Sequence, residues 1–125
     1  MKINTALLLL LIFISLPLHA KPITLKNEKE IHRANQLNLA MDAVSEKVMA
    51  CINAGNSSKE SCTCPNMDSC KFKSEFKKAT SLYCSLKSDF PKWINKPIIY
   101  SIKGSKITHA LSMEALERHY GKYCE

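Results

Sequence analysis

The chain has 125 residues, a formal net charge of +7 and six cysteines. That length excludes more than one ordinary domain and permits only a modest hydrophobic core, so covalent support is expected. No catalytic signature stands out, and past the first twenty residues no stretch is long and apolar enough to span a bilayer.

Residues 1 to 20 read as a secretory signal peptide. Lys2 supplies the basic start, Ala6 to Ile14 is an unbroken apolar run, Pro17 interrupts it, and Ala20 is the small residue at the expected cleavage point. The run is short for a membrane anchor, and position 21 holds no cysteine for a lipid anchor. Residues 21 to 125 are then expected to form a single domain, periplasmic or secreted. All six cysteines, Cys51, Cys62, Cys64, Cys70, Cys84 and Cys124, lie in this part. An even count in an oxidising compartment reads as three disulfides.

After a short lead over Lys21 to Lys26, Asn27 is placed to cap a helix, with Glu28 and Glu30 near its positive end. Ile31, Ala34, Leu37, Met41, Val44, Val48 and Cys51 follow at spacings of three or four, which predicts one amphipathic helix over about 28–54, closed by Gly55. Residues 55 to 69, rich in Asn and Ser and containing Pro65, read as a surface loop. A second helix is expected from Asp68 or Ser69 to Ser88, with Phe72, Phe76, Ala79, Tyr83 and Leu86 as its apolar stripe. The two stripes predict an antiparallel helical hairpin, with Cys70 at the start of the second helix and Cys84 on the same flank.

Past Pro91 the period changes. Ile98, Tyr100 and Ile102 alternate, Lys103-Gly104-Ser105 is turn chemistry, and Lys106 to Leu111 reads as the returning strand of a β-hairpin. Ser112 then caps a short helix, Met113 to Tyr120, ended by Gly121. The expected fold class is α+β and mostly helical: a helical hairpin, a small β-hairpin and a short terminal helix, stapled by three disulfides. Cys62 and Cys64 are too close to pair with each other. Spacing therefore predicts Cys84 bonded to Cys124, and Cys51 and Cys70 each bonded to one of Cys62 and Cys64, in either arrangement.

Charge is segregated. Residues 71 to 106 carry nine lysines against Glu75 and Asp89, while residues 21 to 70 balance at six of each sign. Lys71, Lys73, Lys77 and Lys78, with Lys92 and Lys96 around Trp93, form the candidate binding surface, suited to an anionic envelope component or an acidic protein face. The bland reading of the lysines is a solvated face, and that of Trp93 is a core plug. Lysine far outnumbers arginine, the usual residue for shaped phosphate recognition, so specific nucleic-acid reading is not expected.

The function expected from these features is that of a monomeric, non-enzymatic binding protein of the bacterial envelope or secretome, without cofactor or metal. The Lys-, Asn- and Ile-rich composition suits AT-rich bacterial coding. Two alternatives have residues behind them. A small hydrolase such as a ribonuclease could use His109 and His119 as base and acid, with lysines stabilising a charged phosphate. A soft-metal or thiol-redox protein could use Cys62, Cys64 and Cys70, with Met67 between them.

Overall fold

A computed structural model of the chain describes residues 21–55, 62, 64 and 70–124. The expected signal peptide and most of the cysteine-rich loop lie outside the described residues. The fold is α+β and mostly helical. Helices α1 (Glu28–Asn53) and α2 (Lys73–Asp89) form the hairpin, followed by a one-turn 3-10 segment at Pro91–Trp93. A three-stranded sheet of β1 (Ile23–Thr24), β2 (Pro97–Ser101) and β3 (Thr108–Ser112) packs beside it. The chain ends in α3 (Met113–Tyr120) and a second 3-10 turn, Gly121–Tyr123.

Helix α1 begins where the side chain of Asn27 accepts from the backbone N–H groups of Lys29 and Glu30 at 2.9 and 3.3 Å, satisfying two donors that the first turn leaves open. Ala34, Leu37 and Ala40 are its buried residues. Two alanines in that stripe let α2 approach closely, and Leu37 fills the space between. The helices run antiparallel, because Arg33 near the start of α1 pairs with Asp89 at the end of α2, at 2.6 Å. Arg33 also donates to Ser85 at 2.7 Å and lies over the Phe90 ring, 5.1 Å from its centroid. Beyond Ala40 the helix extends past the fully buried core, and Met49 and Ile52 are exposed.

The second helix starts at Lys73, later than the expected Asp68 or Ser69. Cys70 is bonded to Cys64, and the chain turns through Lys71 and Phe72 before winding up; Phe72 is non-helical at φ −116° and caps nothing with its side chain. Cys70 therefore precedes α2 rather than opening it, and shares no flank with Cys84. The apolar stripe itself is as expected, with Phe72, Phe76, Ala79, Tyr83 and Leu86 all buried.

In the sheet, β2 and β3 are antiparallel, with Ile98 opposite Leu111 and Tyr100 opposite His109. The lead is more than a lead: Ile23 and Thr24 pair in parallel with Ile98 and Ile99, and the Leu25 N–H donates to the Ile99 carbonyl at 2.8 Å. Two paired residues are too few to show alternation, so β1 has no periodic signal. The hairpin is also shorter than its apolar pattern. Ile102 lies outside β2 and Ile107 outside β3, and both are exposed, because the turn around Gly104 (φ +85°) spreads from one to the other.

Helix α3 follows its expected bounds, with the Ser112 hydroxyl accepting from the Ala115 N–H at 3.3 Å and Met113, Leu116 and Tyr120 buried. Gly121 does not end it in a left-handed conformation. Its φ and ψ are −56° and −37°, and the chain continues into the 3-10 turn. What glycine supplies here is space, since a Cβ at this position would stand 2.5 Å from a Glu117 carboxylate oxygen.

The cysteines pair Cys51 with Cys62, Cys64 with Cys70, and Cys84 with Cys124. This is one of the two arrangements that spacing leaves open. The third bond closes the longest loop, with 40 residues of separation. Chain entropy assigns such a cross-link about 4 kcal/mol. Replacing Cys84 and Cys124 together by alanine is expected to lower unfolding free energy by about that amount in urea titrations, more than removal of either shorter bridge. Peptide mapping without reductant should return the same three pairs.

Candidate functional site

The structure divides the lysines that the sequence groups together. Lys71, Lys73, Lys77, Lys78 and Lys92 are exposed and Lys96 is half-buried. Trp93 is not part of any surface: it is 5% exposed and stacks on Phe90 at 4.3 Å between centroids, plugging the end of the hairpin. Lys77 and Lys78, adjacent in sequence, stand about 100° apart around the helix. Lys78 lines a hollow against α1 with Glu75, Leu39 and Leu82. Lys77 faces the other way, toward the end of the chain.

There lies an open groove of about 820 Å³. Helix α2 forms its floor with Lys77, Ser81, Cys84 and Ser88, spaced four, three and four, and with Thr80 and Lys87 alongside. That spacing is a polar stripe beside the apolar one, and it runs about 16 Å along the helix at 1.5 Å per residue. Tyr123 and Cys124 form the facing wall, and Ile94 closes one end. Among the described residues no carboxylate lines the groove.

Two contacts hold the wall to α2. Cys124 is bonded to Cys84 on the floor. The Tyr123 ring meets Phe76 edge-on at 5.5 Å, and the Lys122 ammonium sits 5.0 Å from the Tyr123 ring centre. Behind the groove, Glu117 of α3 accepts from Lys87 at 2.7 Å and from the buried Tyr83 hydroxyl. The Lys87 hydrogen bond, followed by that of Tyr83, holds the Glu117 carboxyl below its ordinary range. Burial, reinforced by the Glu117 acceptor, pushes the Tyr83 hydroxyl upward, so it stays a donor. One carboxylate thus ties α3 to α2 and neutralises Lys87, leaving Lys77 as the lining cation not engaged by Glu117.

His109 stacks on Tyr100 at 5.0 Å, whereas His119 stands beside Tyr120, so the two rings have different neighbours on different elements. The sulfurs of Cys62, Cys64 and Cys70 are all in disulfides, which removes the thiolates that a soft-metal site would need. Among the described residues no three His, Cys, Asp or Glu side chains converge. Comparison with protein families, curated proteins and solved structures finds no match to this chain.

The Glu117 contacts carry a pH signature. A folded-state value below the ordinary 4.5 contributes stability above that pH, lost as pH falls through the lowered value. Tyr83 works in the opposite sense, its contribution being complete below pH 10 and lost as pH rises beyond it. Thermal melts should therefore decline on both limbs, and Glu117→Gln should flatten the acid limb while lowering the plateau.

Proposed function

We propose that this chain is an exported, non-catalytic binding protein that captures an anionic envelope component or an acidic partner on the lysine-bearing flank of α2. The groove is the observation that carries this reading: a concave space with Ser81 and Ser88 hydroxyls, Lys77 in its floor and no carboxylate among its described lining residues. Residues 71 to 106 carry a net of +7; within them Lys73 stands one turn before Lys77, and Lys92 and Lys96 flank Ile94 in the sequence. Such a field raises the local concentration of anions and speeds their encounter.

Export is supported by the disulfides. Three disulfides fit an oxidising compartment. No helix among the described residues is long and apolar enough to cross a membrane. The apolar run ahead of Lys21 supplies the export signal in this reading.

Retention of the chain on an immobilised polyanion, measured across a salt series, tests the reading. Binding should weaken steeply as salt rises. Lys77→Glu should weaken it about tenfold at low salt. Lys103→Glu makes the same change of net charge on the β2–β3 turn, where the lysine is almost fully exposed, and should have little effect. No retention at low salt, or equal losses in both variants, would contradict a localised site.

A further inference from the structure

We infer that the groove takes an acidic oligosaccharide, a short chain of sugar rings bearing carboxylates; this rests on the anion-binding reading and narrows it. The lining suits that ligand in three respects. Ser81 and Ser88 present hydroxyls that both donate and accept, the same dual character as sugar hydroxyls. Tyr123, the Cys84–Cys124 bridge and Ile94 offer apolar surface for the faces of the rings. Lys77 supplies a compact point charge, which pairs with a carboxylate without the bidentate geometry that arginine brings to phosphate.

Size and shape agree. A volume of about 820 Å³ falls within the range of small-ligand sites, and its elongation along α2 favours a linear ligand of a few units over a compact one. Other anions fit less well. Single-stranded nucleic acid uses exposed aromatic platforms, with cation–π support from arginine; Trp93 is buried, Arg33 is committed to Asp89 and Ser85, and Arg118 does not line the groove. A bilayer surface is contacted by projecting apolar side chains, whereas Cys84, Ile94, Tyr123 and Cys124 are each half-buried.

The test is a titration of the disulfide-bonded chain with hexagalacturonate, followed by backbone amide signals. Maltohexaose serves as the uncharged sugar and hexaglutamate as the charged chain without rings. Saturable binding of hexagalacturonate is expected, shifting Ser81, Ser88 and Tyr123, with both comparison ligands at least about tenfold weaker. Ser81→Phe fills the groove at an exposed position without changing charge. It should weaken hexagalacturonate about tenfold while leaving salt-sensitive retention on the polyanion in place. If that variant loses its helical spectrum, Ser88→Phe fills the far end and carries the same expectation. Equal affinity for hexaglutamate, parent-like binding by a folded groove-filled variant, or preference for vesicles of anionic phospholipid would overturn the inference. Loss of polyanion retention in the parent chain would instead overturn the broader reading on which it stands.

Discussion

The link between Cys84 and Cys124 is the constraint on which the rest of this structure turns. A helix of eight residues with three buried side chains is too short to be stable alone. Glu117 ties it to Lys87 and Tyr83 of α2, and the Cys84–Cys124 bond fixes the segment that follows it, so that Tyr123 and Cys124 become a fixed wall. The groove exists only between that wall and the helix. Gly121 belongs to the same arrangement, since any side chain there would press on the Glu117 carboxylate.

Where α1 begins and α2 ends, a second set of contacts holds the hairpin. Arg33 joins Asp89, Ser85 and the face of Phe90, which in turn stacks on Trp93. These contacts hold the start of α1 against the end of α2 and lead the chain into β2. Such an exposed ion pair contributes little by itself; the ring stack beneath it gives it packing to rest on. The far half of α1 has few buried residues, and there the Cys51–Cys62 and Cys64–Cys70 bonds act in place of a core.

Most of the architecture was legible in the sequence because its signals are periodic. The stripes on α1 and α2, the Asn27 and Ser112 caps and the cysteine spacing each follow from local rules. Strand β1 was not legible, because two residues cannot alternate convincingly and the pairing is with β2 more than seventy positions away. The start of α2 was misplaced because a disulfide and the burial of Phe72 override the capping preferences of Asp68 and Ser69. Of the candidate surface, Lys71, Lys73, Lys77, Lys78 and Lys92 are exposed, Lys96 is half-buried and Trp93 is buried, and Lys77 and Lys78 face different hollows. The signal that could have located the groove was the second period in α2, Lys77, Ser81, Cys84 and Ser88. Its meaning depends on Tyr123 and Cys124 arriving from the other end of the chain, which no local pattern records.

The central claim is that the disulfide-held C-terminal segment, and not lysine charge alone, makes the binding site. The most direct measurement is the affinity of the Cys84→Ala/Cys124→Ala double variant for hexagalacturonate, taken where circular dichroism shows the α1–α2 hairpin still folded. Every lysine is kept in that variant, so the account predicts that polyanion retention persists while saturable oligosaccharide binding is lost. Parent-like oligosaccharide affinity without the bridge would contradict it.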